Sequence, residues 1–131
     1  MAAHNPRELA PVAPELFVPD LAASVGFYTE SLGFEALRVE PHFAVVALGE
    51  AIVMLAQESL PVVAPGAPRG LGIEVRIMVL DVDAVHQRLR ENGVKLTRDI
   101  GDRDYGLRDF VVADPNGFRL RFASPLARLG P

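Results

Sequence analysis

Apolar residues recur along this chain with two different periods, and the order in which the periods alternate repeats itself. After Val18-Pro19-Asp20, residues Leu21, Val25, Tyr28 and Leu32 follow at helical spacing and Gly33 stands just beyond them, which predicts an amphipathic helix of about three turns. After Val79-Leu80-Asp81, the stripe Val82, Val85 and Leu89 with charges around it and Gly93 behind it predicts a second helix. Gly26 inside the first helix costs ~1 kcal/mol relative to alanine, a cost that close packing of helix on sheet would explain.

Strand-like runs flank both helices. Residues 13–18 precede the first, and Phe34 to Glu40, Phe43 to Leu48 and Ala51 to Gln57 follow it, with Gly49-Glu50 as a hairpin turn. Residues 73–80 precede the second, and Val94 to Thr97, Gly106 to Ala113 and Phe118 to Ala123 follow it. The last two are joined by Asp114-Pro115-Asn116-Gly117, in which proline pre-sets φ and glycine accepts a left-handed conformation. The order is βαβββ twice, an α+β fold class, and the repeat itself is the fold signal. The boundaries this implies are a flexible tail at 1–12, a first module at 13–57, a Pro/Gly-rich linker at 58–71, a second module at 72–125 and a tail at 126–131.

Composition narrows the function classes. The chain has 131 residues and 50% hydrophobic content, enough for one domain or two small halves with a packed interior. A formal net charge of -4 argues against a nucleic-acid-binding domain, which needs a basic surface. With no cysteine, the chain has no disulfide, thiolate metal site or cysteine nucleophile, which suits a reducing cytosol. The first residues carry no apolar run for export and no segment approaches the ~20 apolar residues of a membrane span, so a cytoplasmic protein is expected.

The motifs together resemble a known family. Val18-Pro19-Asp20-Leu21 with Phe27-Tyr28 and Leu32-Gly33-Phe34, then Val79-Leu80-Asp81-Val82-Asp83-Ala84 with Gly93, then Asp114-Pro115-Asn116-Gly117 resemble the vicinal oxygen chelate superfamily in order and spacing. That superfamily includes glyoxalase I, extradiol dioxygenases, fosfomycin-resistance enzymes and bleomycin-resistance proteins. Tyr105-Gly106-Leu107-Arg108-Asp109-Phe110 looks most like the bleomycin-resistance branch. The resemblance implies two tandem βαβββ modules forming an open, curved mixed sheet around a cleft. In metal-using members it also implies one ligand on the first and last strand of each half, positions that fall here on Ala13, Met54, Glu74 and Arg121. Alanine offers no ligand atom, methionine only a thioether, and arginine a fixed positive charge. His4, His42 and His86 lie on none of the proposed cleft strands, and no serine sits in a pattern that would activate it. No catalytic residue, metal or cofactor is therefore expected.

Strand parity defines a candidate inner face of Ala13, Glu15 and Phe17, of Ile52, Met54 and Ala56, of Glu74, Arg76 and Met78, and of Arg119 and Arg121. Glu15, Phe17, Met54, Glu74, Arg76, Met78, Tyr105, Arg119 and Arg121 are the candidate ligand-binding residues. The charged ones could equally neutralise one another as an ion network. The bleomycin-resistance resemblance implies no catalysis but a homodimer, with exchanged strand segments, that sequesters a cationic drug between its subunits. Phe17 and Tyr105 would then stack on a flat ring and Glu15 or Glu74 would face the cation. Against the cation stand Arg76, Arg119 and Arg121, which leave a carboxylate-bearing metabolite open. A metal-dependent lyase or dioxygenase and a regulatory or scaffolding dimer are the alternatives from other classes.

Overall fold

The computed structural model describes residues 5–126, and the chain separates into two compact units at Pro68/Arg69. In the first unit the strands β1 (Glu15–Val18), β2 (Glu35–Val39), β3 (Phe43–Leu48) and β4 (Ala51–Gln57) form a four-stranded mixed sheet in the order β1-β4-β3-β2. In the second, β5 (Glu74–Met78), β6 (Leu96–Asp102), β7 (Leu107–Ala113) and β8 (Arg119–Pro125) form another in the order β5-β8-β7-β6. Each unit is thus βαβββ with its first strand parallel to its fourth and the other pairings antiparallel.

The helices start as their sequences dictate. Asp20 caps α1 (Leu21–Gly26) by accepting from the Ala23 N–H at 3.1 Å, and Asp81 caps α2 (Val82–Glu91) by accepting from the Ala84 N–H at 3.1 Å. Leu21, Tyr28 and Leu32 of the first stripe and Val82 and Leu89 of the second are buried. A regular helix does not run the full length of the first stripe. After Gly26 the chain widens into a π-turn over Phe27–Ser31, in which the Leu32 N–H reaches the Phe27 carbonyl at 3.1 Å. The Thr29 hydroxyl bonds back to the Val25 carbonyl at 2.7 Å, which competes for an acceptor of the regular ladder. Close packing does not explain Gly26, because a Cβ there would meet nothing within 4 Å.

A second clamp holds each strand-to-helix turn. Gln57, at the end of β4, accepts from the Leu21 N–H at 2.9 Å and donates to the Pro19 carbonyl at 2.7 Å. Ser124, near the end of β8, accepts from the Val82 N–H at 3.0 Å and donates to the Val79 carbonyl at 2.9 Å. Backbone groups that neither helix nor sheet would satisfy are thereby paired.

Two further expectations change. Strand β6 extends to Asp102, well past Thr97, with shifts in register at Arg98 and Gly101. Its charged residues sit on an edge strand and lack the apolar alternation that marks a half-buried one. Residues 5–10, expected as flexible tail, include a 3-10 turn at Pro6–Glu8 tied to β2 by Arg7–Glu35 at 2.9 Å and Arg38–Glu8 at 2.8 Å. The Asp114 to Gly117 hairpin forms as its sequence predicts. The carboxylate of Asp114 accepts from the N–H groups of Asn116 at 2.9 Å and Phe118 at 3.0 Å, and Gly117 takes φ 98.

Candidate functional site

Register along β5 and β8 builds the most densely bonded polar cluster of the second unit. The parallel pairing sets Glu74 beside Arg119 and Arg76 beside Arg121, and alternation places these four on one face together with Met78. The Glu74 carboxylate is shared between two guanidiniums. Its Oε1 accepts from Arg121 Nε at 2.6 Å and is in ion-pair contact with Nη2 of the same guanidinium, and its Oε2 lies 3.2 Å from Arg119 Nη2. Arg121 thus grips one carboxylate oxygen with two of its nitrogens and leaves the other oxygen to Arg119.

The other side of Arg121 meets β7. Its Nη1 donates to the Tyr105 hydroxyl at 2.6 Å and to Asp109 Oδ2 at 2.8 Å, while the Tyr105 hydroxyl donates to Asp109 Oδ2 at 2.5 Å. Arg103 Nε donates to Asp109 Oδ1 at 2.8 Å. Asp109 is fully buried, and the Arg121 guanidinium carbon lies 5.9 Å from the centroid of the half-exposed Tyr105 ring.

Burial pushes the Asp109 carboxyl up, yet the hydrogen bonds from Arg103, Tyr105 and Arg121 together outweigh it and hold its pKa at about 2. Arg121 is moved the other way, its pKa raised first by the hydrogen bond to Asp109 and then by Glu74, against the opposing effect of burial. Asp109 and Arg121 therefore both stay ionised near neutral pH.

The matching face of the first unit is apolar apart from Glu15. Glu15 pairs with Met54 and Phe17 with Ala56 across β1 and β4, and Phe43 and Val45 of β3 oppose Ala56 and Met54. Val45, Ala47 and Ile52 form a buried cluster, against which Ala10, Ala13, Leu37, Phe43 and Met54 pack. Glu15 is exposed and Phe17 is 46% exposed at the end of this strip.

These residues do not fit a catalytic divalent metal. Ala13 and Met54 belong to the apolar packing of the first unit, and Glu74, the one carboxylate among the four implied positions, is committed to Arg119 and Arg121. A divalent cation there would have to displace Arg121 from two carboxylates and then tolerate its charge. Among the described residues no three His, Asp or Glu side chains gather as a ligand set. His42 is exposed, and His86 packs edge-on against Phe110 with Nε2 3.5 Å from Asp99. His4 lies outside the described residues.

The structure thus brings Glu74, Tyr105, Arg119 and Arg121 into one bonded cluster and sets Arg76 and Met78 on the same face. Glu15, Phe17 and Met54 lie on the corresponding face of the first unit. Glu74, expected as one of two groups to face a cation, already has both oxygens engaged by arginines. Sequence reading missed Asp109 and Arg103. The available signal was a carboxylate directly ahead of the apolar strand run Phe110-Val111-Val112, at the parity of Val111, which register places opposite Arg121.

A family model described as the Glyoxalase/Bleomycin resistance protein/Dioxygenase superfamily matches residues 9–122, and the chain belongs to that superfamily. It is similar to a bleomycin resistance protein of Geobacillus stearothermophilus, 29% identical over 121 residues, covering 83% of this chain and 92% of the relative. Among solved structures it resembles TioX from Micromonospora sp. ML1, with TM-score 0.74 and 25% identity over 89% of this chain and 99% of that one. It also resembles a bleomycin-binding protein from bleomycin-producing Streptomyces verticillus complexed with copper(II)-bleomycin, with TM-score 0.65 and 26% identity over 87% and 94% of the two chains. Among the described residues no helix is long and apolar enough to cross a membrane.

Proposed function

We propose that this chain is a metal-independent small-molecule-binding protein of the bleomycin-resistance type, which protects a cell by sequestering a drug or metabolite in the cytoplasm. The observation that carries this reading is the commitment of Glu74 to Arg119 and Arg121, and of Arg121 to Asp109, at positions where metal-using members would hold their ion. The likeness to a bleomycin resistance protein and to a bleomycin-binding structure supports binding as the activity. Phe17, Met78 and Tyr105 offer exposed apolar surface beside charged groups, the mixture a moderately polar ligand needs. A homodimer, with strand segments exchanged between subunits, would supply the walls of the binding cleft.

Calorimetric titration of the purified protein with copper(II)-bleomycin, with metal content and light scattering measured on the same sample, tests this. Saturable binding by a dimer that carries no stoichiometric metal is the expected result. Stoichiometric zinc, nickel, manganese or iron would overturn metal independence, a monomeric mass would remove the intersubunit cleft, and absence of heat would remove the drug-specific version.

A further inference from the structure

The charge left over on the β5–β8 face says what kind of molecule would bind there, an inference that rests on the binding reading above. Arg76 and Arg121 are register neighbours on one face, and like charges so placed destabilise a strand pair unless something neutralises them. Arg121 has its anions in Glu74 and Asp109. Both Glu74 oxygens are taken, and no acidic group among the described residues pairs with the exposed Arg76. Arg119, 47% exposed at its side chain, makes one contact at 3.2 Å and keeps donors to spare. Across the cluster the guanidiniums of Arg76, Arg103, Arg119 and Arg121 face only the carboxylates of Glu74 and Asp109. The excess is positive, on a chain whose formal net charge is -4.

We infer that Arg76 and Arg119 form a seat for the carboxylate of an organic anion whose flat apolar body lies along Met78 and Tyr105. A guanidinium presents a planar fork that matches a carboxylate, and its weak hydration makes its release from water inexpensive. Met78 is 42% exposed two residues along β5 from Arg76, and the Tyr105 ring, 50% exposed, is held by Arg121 and Asp109 instead of swinging free. An anchored aromatic ring on the same face as guanidiniums with donors to spare is a preorganised surface for an aromatic acid. An ammonium group in place of that carboxylate would meet the same arginines as repulsion.

The test uses the full chain after chelator treatment, titrated calorimetrically with 2-naphthoate, with 2-naphthylmethylamine and with inorganic phosphate. Naphthoate should bind at least about tenfold more tightly than the amine or phosphate, and less tightly as salt rises. Arg76→Gln should weaken naphthoate binding by about tenfold, whereas Arg88→Gln, which removes the same charge from the exposed side of α2, should leave it unchanged. Arg76→Lys, which keeps the charge and loses the fork, should fall between, and serves if the glutamine variant melts early. Equal binding of the amine, equal binding of phosphate, or equal effects of Arg76→Gln and Arg88→Gln would each overturn the inference. Binding of copper(II)-bleomycin without binding of naphthoate would overturn the anion seat and leave the binding reading standing. Failure of both ligands to bind would overturn the two together.

Discussion

The two units have the same strand order and opposite chemistry on the same face. Register aligns them position by position: Phe43 opposes Ala56 in the first unit as Asp109 opposes Ala123 in the second, and Val45 opposes Met54 as Val111 opposes Arg121. Glu15 beside Met54 corresponds likewise to Arg76 beside Arg121. One unit fills this face with Val45, Ala47, Ile52 and Met54, and the other with Glu74, Asp109 and Arg121. The helix-facing side differs far less: Ala44, Val46, Val53 and Leu55 answer to Phe110, Val112, Leu120 and Phe122, all buried. The helix-facing side of each sheet and the capped turns are therefore built alike in the two units, while the other face differs in chemistry and is partly buried in both through different contacts.

The largest effect that would break this comparison is at Asp109. Asp109→Ala leaves Arg103 and Arg121 without their buried partner and should cost about 3–5 kcal/mol in urea unfolding, whereas Phe43→Ala at the matching, partly exposed position should cost about 2 kcal/mol. Similar losses at both sites would show that the charged face is no more tightly integrated than the apolar one.

Acid should separate the units next. The Asp109 pKa is about 2 in the folded chain against an ordinary 3.8, so its stabilisation is complete above the ordinary value and disappears as pH falls through the folded one. It amounts to on the order of 2 kcal/mol, and Asp109→Asn should flatten this part of the stability profile between pH 5 and about 2. A profile unchanged by Asp109→Asn would place the acid sensitivity elsewhere.

The paired turn clamps give a smaller effect. Ser124→Ala removes a buried hydroxyl from both the Val82 N–H and the Val79 carbonyl and should cost about 1–2 kcal/mol, with Gln57→Ala giving a comparable loss in the first unit. Smallest of all, Gly26→Ala should stabilise by about 0.4–1 kcal/mol, since φ is -59 and the space for a Cβ is open. A destabilised alanine variant would mean that the π-turn after Gly26 needs glycine.

Much of this was legible in the residues. Asp20 and Asp81 announce the helix starts, the spacing of Leu21, Tyr28 and Leu32 and of Val82 and Leu89 marks the buried stripes, and Asp114 to Gly117 fixes the last hairpin, because these signals are local. Parity also placed Glu74, Arg76, Arg119 and Arg121 on one face. Pairing was harder to read. That Arg121 binds Glu74 and Asp109 simultaneously depends on the register of three strands, and Arg103 enters from the turn after β6, where register shifts defeat periodicity. The roles of Gln57 and Ser124 were hidden for the same reason, since each reaches a turn far away in sequence.

The salt-bridge network of Glu74, Asp109, Arg119 and Arg121 leaves the second unit no carboxylate free to hold a catalytic metal at Glu74. Calorimetric titration of the chelator-treated protein with zinc, nickel, manganese and iron(II) tests it most directly, with the melting temperature followed in parallel. No saturable heat and an unchanged melting temperature are expected for all four. One metal bound stoichiometrically with a raised melting temperature, lost in Glu74→Gln, would contradict this.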